Sequence, residues 1–348
     1  MTENIQSLLE KCEKIGNLTI YNSFLKTYQK LQQHDTIVCS ISGGGDSDIV
    51  LDIMTKLDTD KKVKYVFFDT GVELQATKSH LDYLEQKYGV VIERLKAVKP
   101  IPTCCKEYGL PFWSKRVSEM IERLQSHGFQ WEDEPYEVLI TKYDNCIEAL
   151  KWWCNWYPVN EGYRESHFNI NYIRGLKEYM IAFPPQFKIS NKCCDWAKKK
   201  TVKKRLKELN ADLNIYGVRK DESGIRRQAY KSCYSEATDK EIAYYRPILW
   251  YGDRDKQVYE QHFGVTHSDC YTKYGFKRTG CVGCPFAKDF EKELEQVEKY
   301  EPKMYKAAKA IFGKSYEYTK GFMEFRKNLI EKNGVKYKQE TLFDLEEI

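Results

Sequence analysis

Thr36-Ile37-Val38-Cys39-Ser40-Ile41-Ser42-Gly43-Gly44-Gly45-Asp46-Ser47-Asp48 decides the fold. Residues 36–41 form a short apolar run that reads as a buried strand, and 48–56 read as a helix. A glycine-rich turn between a strand and a helix gathers unpaired backbone N–H groups at a positive helix end. Anions, phosphates above all, bind at such points. Glycine lets the backbone approach the phosphate and take positive φ where needed. Ser42 and Ser47 add hydroxyl donors. Gly-Lys-Ser/Thr is missing, so this is not a Walker A loop.

The pattern continues outward. Residues 4–33 read as helical, Lys64–Phe68 as a second buried strand, 74–88 as a helix and Val90–Leu95 as a third strand. Strands alternating with helices predict right-handed β-α-β units and a parallel sheet. The fold class is therefore α/β, a parallel twisted sheet with flanking helices, plus a helical insertion and a helical C-terminal extension. Ligands of such sheets sit at the carboxyl ends of the strands. Residues 42–47 and Asp69-Thr70-Gly71-Val72-Glu73 both fall there. Leu213–Gly217 reads as a further strand that delivers Arg219, and Pro247–Trp250 as a short extended segment. The expected organisation is N-terminal helices over 1–34, an α/β domain over 35–290 with a helical insertion at about 112–185, and a helical extension with an acidic tail over 291–348.

A chain of 348 residues with 42% hydrophobic and 14% aromatic content can bury a sizeable core. No run of 18 apolar residues predicts a membrane span, and the N-terminal residues lack the order of a signal peptide. A cytoplasmic location without a membrane partner is the expectation. The net charge of +5 singles out no partner. Lys200, Lys203, Lys204 and Lys207 form a basic stripe at helical spacing that suits either solvent or a nucleic-acid backbone.

Twelve cysteines in such a chain point to metal or catalysis more than to disulfides. Cys193-Cys194 and Cys281-x-x-Cys284 offer four thiolates, suited to tetrahedral zinc or an iron–sulfur cluster. Side chains of adjacent cysteines diverge, which a cube of iron and sulfur tolerates better than a single zinc ion. Cys104-Cys105, after Pro100 and Pro102, reads as part of a loop.

Residues 42–47 resemble the Ser-Gly-Gly-x-Asp-Ser loop of the PP-loop ATP pyrophosphatases, with Gly45 where relatives often carry Lys. The two cysteine pairs, with Lys198 between them, resemble the [4Fe–4S] pattern of sulfonucleotide (APS/PAPS) reductases. So do Asp69–Glu73, Gly109–Lys115, Gly217–Ser223 with Arg226, Tyr245–Trp250 and Gly275–Pro285. Most of residues 36–290 resembles the PAPS reductase family of the PP-loop superfamily, including the ATP pyrophosphatase of DNA phosphorothioation systems. The resemblance implies ATP on Ser42, Gly43, Gly44, Gly45, Asp46 and Ser47, with Asp69, Thr70, Gly71, Glu73 and Arg219 near the nucleotide. It implies Asp46 at Mg²⁺, and Arg219 and Arg226 neutralising charge on the phosphates. It also implies a [4Fe–4S] cluster on Cys193, Cys194, Cys281 and Cys284, with zinc as the alternative.

Within that family, true reductases attack sulfate with a cysteine near the C-terminus, and no cysteine follows Cys284. The expected activity is therefore cleavage of ATP to AMP and pyrophosphate, coupled to sulfur transfer. The acceptor is a candidate nucleic acid, and the sulfur donor a protein such as a cysteine desulfurase. The alternatives are an APS/PAPS reductase and a non-catalytic nucleotide- or nucleic-acid-binding component of a larger complex.

Overall fold

The computed structural model describes residues 3–159, 161–162, 165–222, 224–287 and 289–332. They form two compact units: one holds residues 3–98 and 197–281, the other 99–196 and 282–332.

The first unit is built on a six-stranded sheet of order β3-β2-β1-β4-β6-β5. Its strands are β1 (Ile37–Ile41), β2 (Val63–Asp69), β3 (Ile92–Lys96), β4 (Leu213–Tyr216), β5 (Tyr234–Ser235) and β6 (Ala243–Tyr245). β1 pairs in parallel with β2 on one side and β4 on the other. β2–β3 and β4–β6 are parallel as well, and only β5 runs antiparallel. Strand order reverses direction across β1, so β1 and β4 flank a topological switch point, the place where open α/β sheets bind ligands.

Helices α1 (Glu3–Lys14), α2 (Leu18–Gln33), α3 (Gly45–Leu57) and α4 (Gln75–Tyr88) belong to this unit. α3 buries Ile49, Val50, Leu51, Ile53, Met54 and Leu57, so its apolar surface wraps nearly all round, as expected of a helix inside a core. β1 buries Ile37, Val38, Cys39 and Ile41, the near-continuous apolar run of a strand covered on both faces, broken only by Ser40. Asn17 caps α2, its side chain accepting the Ile20 N–H at 3.1 Å.

The second unit is helical around an aromatic core that includes Phe112, Trp113, Trp152, Trp153 and Phe322. Trp152 and Trp153 are fully buried there, whereas Trp156 is exposed.

Two local expectations are corrected. Residues 247–250 form a turn rather than an extended segment, and the strand of that region is β6, just before it. β5 and β6 span two and three residues, too few for alternation to show in the sequence. Cys104 and Cys105 lie not in a loop but on the buried side of the helix Ile101–Tyr108. Pro100 precedes that helix and Pro102 sits in its first turn, where proline forfeits no hydrogen bond.

Candidate functional site

The turn after β1 is tied by its own serines. The Ser42 N–H donates to Ser47 Oγ at 3.0 Å, and the Gly44 N–H to Ser42 Oγ at 3.3 Å. Gly43 has φ +67°, and a Cβ there would lie 2.8 Å from Thr77 Cγ2, so both strain and space require glycine. Gly44 is the N-cap of α3, with Asp46 and Asp48 in the first turn where the helix end favours negative charge. β4 leads into Gly217, which presses against the same turn. A Cβ on Gly217 would stand 2.8 Å from the Asp46 carbonyl oxygen and 3.0 Å from Ser47 N. That close passage sets Arg219 beside the loop.

Arg219 is buried and grips Asp46: its Nε lies 3.1 and 3.0 Å from the two carboxylate oxygens. Its Nη1 donates to the exposed Asp253 at 2.8 Å. Lys256 Nζ reaches Asp46 Oδ1 at 3.0 Å from the helix Asp253–Phe263. Burial pushes the Asp46 pKa up, but a hydrogen bond with Glu222 and the charges of Lys256 and Arg219 outweigh it, leaving it below the ordinary value. Asp46 is thus held as a carboxylate at the switch point.

Behind Asp46 lies a second charged group. The carboxylate of buried Asp48 meets His267 Nδ1 at 2.8 Å and His80 Nε2 at 3.1 Å. His267 Nε2 meets Glu260 at 2.8 Å. Burial opposes protonation of His267, but its hydrogen bonds to Asp48 and Glu260 prevail and push its pKa up to about 9. The Tyr271 hydroxyl accepts both the Gly45 N–H at 3.0 Å and the Thr279 N–H at 3.2 Å. Lys256, His267 and Tyr271 escaped the sequence reading, because residues 256–271 carry no motif and reach the loop only through the tertiary fold. Thr279 lies inside the Gly275–Pro285 stretch, which was read for its cysteines.

At the end of β2, Asp69 accepts the Gly71 N–H at 2.8 Å, and Gly71 takes φ +88°. The Thr70 hydroxyl donates to Glu73 at 2.5 Å, and burial raises the Glu73 pKa. Thr70 Oγ1 also lies 3.7 Å from the Cys281 sulfur. Cys281 therefore belongs with the β2 end of the first unit.

Cys193, Cys194 and Cys284 belong to the second unit. The helix Ile101–Tyr108 packs beside Cys193, with Tyr108 stacked on Trp196 at 5.9 Å between centroids. Cys105 and Cys193 share a hydrogen bond, which with burial lifts the Cys193 thiol well above its usual range. Cys284 is near enough for its charge to add to this. Gly283 precedes it at φ +59°, its carbonyl accepting the Tyr316 hydroxyl. Among the described residues, no group of three or more His, Cys, Asp or Glu side chains is placed to hold a metal ion. The Arg226 side chain lies outside the described residues, its backbone being in the helix Gly224–Ala229. In the basic stripe Lys203 pairs with Glu241 at 2.8 Å and Lys204 with Glu208 at 3.7 Å. No helix among the described residues is long and apolar enough to cross a membrane.

Residues 36–151 and 168–287, more than half of the chain, match the phosphoadenosine phosphosulfate reductase domain. The chain belongs to the phosphoadenosine phosphosulfate reductase family. Membership places it among enzymes of nucleotide-dependent sulfur chemistry. An uncharacterized protein of Methanocaldococcus jannaschii is 30% identical over 134 residues, 37% of this chain and 27% of that protein. The match thus spans about a quarter of that relative's length. Among solved structures, a phosphoadenylyl-sulfate reductase from Candida auris in a phosphate complex aligns at 13% identity and TM-score 0.42, over 81% of this chain and 96% of that one. A U34-tRNA thiolase from Methanococcus maripaludis with its [4Fe-4S] cluster aligns at 12% identity and TM-score 0.35, over 87% and 79%.

Two outcomes are expected from this geometry. Gly217→Ala adds a methyl against backbone that cannot yield cheaply. It should cost ~1–3 kcal/mol and weaken anion binding at the loop; thermal melts and pyrophosphate titration check both. His267 holds a proton in the folded state up to about pH 9 and in the unfolded chain up to 6.5. Its stabilisation is complete below pH 6.5 and is lost as pH rises through 9, by roughly 1–3 kcal/mol. Urea midpoints compared across that window should fall less steeply for His267→Gln than for the natural protein.

Proposed function

We propose that the protein is an ATP pyrophosphatase-type adenylating enzyme that cleaves ATP to AMP and pyrophosphate and couples this to sulfur transfer in the cytoplasm. The observation that carries the reading is the ionised Asp46, gripped by Arg219 and Lys256 beside a glycine loop at the sheet's switch point.

Residues 42–47 cradle the β and γ phosphates with backbone N–H groups at the positive end of α3. Asp69, Thr70, Gly71 and Glu73 border the nucleotide from the end of β2. An acceptor oxygen, on nucleic acid in this reading, attacks the α phosphorus. The bond from that phosphorus to the bridging oxygen breaks, and pyrophosphate leaves with the bond's electrons. Arg219 and Arg226 neutralise the charge that grows on the phosphates, the usual electrostatic route in phosphoryl transfer. The outer sulfur of a persulfide on a donor protein such as a cysteine desulfurase then attacks the atom that bears the adenylated oxygen. AMP leaves with the electrons of the broken bond. A second thiol cleaves the resulting disulfide by exchange and frees the thiolated product.

Asp46 fits a Mg²⁺ ligand, because it is a carboxylate held in its charged form. The cysteines fit an iron–sulfur cluster in their donor chemistry: Cys193 is buried among other thiols, and Cys194, Cys281 and Cys284 are half-buried. Cys193, Cys194, Cys281 and Cys284 would hold it, with zinc as the alternative. A [4Fe–4S] cluster there supplies iron to which a sulfur atom can attach.

Thin-layer analysis of α-labelled ATP with Mg²⁺ and candidate DNA or tRNA tests the reaction. Labelled AMP is expected. Labelled ADP, or sulfite released from APS or PAPS with thioredoxin, overturns it. Anaerobically purified protein is expected to be brown, with iron and acid-labile sulfide, and each single Cys→Ala change at 193, 194, 281 or 284 to bleach it. Stoichiometric zinc without sulfide would dismiss the cluster.

A further inference from the structure

Lys256 stands on the helix Asp253–Phe263, more than two hundred residues from the loop in sequence. Yet its ammonium lies 2.8 Å from the point that a Cβ on Gly45 would occupy. His267 approaches the same point, its ring atoms at 3.4 and 3.5 Å. The space beside Gly45 is thus filled by a cationic group brought in from another element. We propose that Lys256 is the loop's phosphate-binding cation, that it takes the pyrophosphate end of the nucleotide, and that glycine stands at position 45 to admit it.

Three physical points favour this arrangement. A lysine inside the first turn of α3 would place positive charge on the positive helix end. Lys256 brings an ammonium to the same place on a flexible stem rooted elsewhere. Part of the loop's own donor capacity is already engaged: the Gly45 N–H donates to Tyr271 and the Ser42 N–H to Ser47. An anion of high charge needs a further counter-charge, and Lys256 is already there. Without an anion its partners are Asp46 at 3.0 Å and Glu260 at 3.9 Å. Asp46 keeps Arg219 as a second cation, so Lys256 can turn from Asp46 to a phosphate while the carboxylate stays paired.

The inference rests on the nucleotide reading above, and the test separates the two. Inorganic pyrophosphate, Mg·ATP and AMP are titrated calorimetrically into the natural protein, Lys256→Ala, Gly45→Ala and the double variant. Circular dichroism confirms folding of each. Loss of one charge-assisted contact should weaken pyrophosphate and ATP binding roughly ten- to hundredfold and leave AMP unchanged. The Gly45→Ala methyl meets only the far end of flexible or ring side chains, so this variant should fold with the ammonium displaced. It should therefore weaken pyrophosphate binding alone but add little once Lys256 is gone. Pyrophosphate binding equal to the natural protein in Lys256→Ala overturns the assignment and leaves the nucleotide reading standing. Additive losses in the double variant, or an equal loss of AMP, overturn it as well. Failure of the natural protein to bind either ATP or pyrophosphate overturns the nucleotide reading and this inference together.

Discussion

Gly217 passes so close to the peptide between Asp46 and Ser47 that no side chain fits between them. The site is arranged around this contact. β1 and β4 are neighbours in the sheet, and each runs into a turn at the same edge. With Gly217 flush against the start of α3, Arg219 emerges two residues later within reach of Asp46. A bulkier residue would separate the two turns and part the arginine from its carboxylate.

The electrostatics follow from that geometry. Asp46 and Asp48 lie in the first turn of α3, where the helix end favours them, yet both are largely removed from water. Burying carboxylates is costly unless charges or donors answer them. Arg219 and Lys256 answer Asp46, while His267 and His80 answer Asp48. Arg219, Lys256 and His267 come from segments after β4 and His80 from α4, so the acidic turn and its partners meet only when both halves of the sheet are assembled.

The thiols divide differently. Cys281 sits by Thr70 at the end of β2, whereas Cys193 packs against Cys105 in the helical unit. Cys105 shares its burial and its hydrogen bond with Cys193 because a proline-started helix, not a loop, carries it there.

The parallel sheet, the loop and the central helix were legible in the sequence, because each is a local pattern. Ile37–Ile41 is apolar except for Ser40, Gly43–Gly45 come next after Ser42, and the helix that starts at Gly45 carries apolar positions throughout. Arg219 was legible from its place after a strand, but not its partner, which the fold supplied as Asp46. β5 and β6 were illegible, since two- and three-residue strands exist only by pairing with one another and β4. Lys256, His267 and Tyr271 were equally so. Sequence alone determined that a glycine turn joins a buried strand to a buried helix, because backbone sterics and apolar patterning act over a few residues. Which charges surround that turn was decided only by the tertiary structure, because side chains two hundred residues apart become neighbours when the sheet closes around β1.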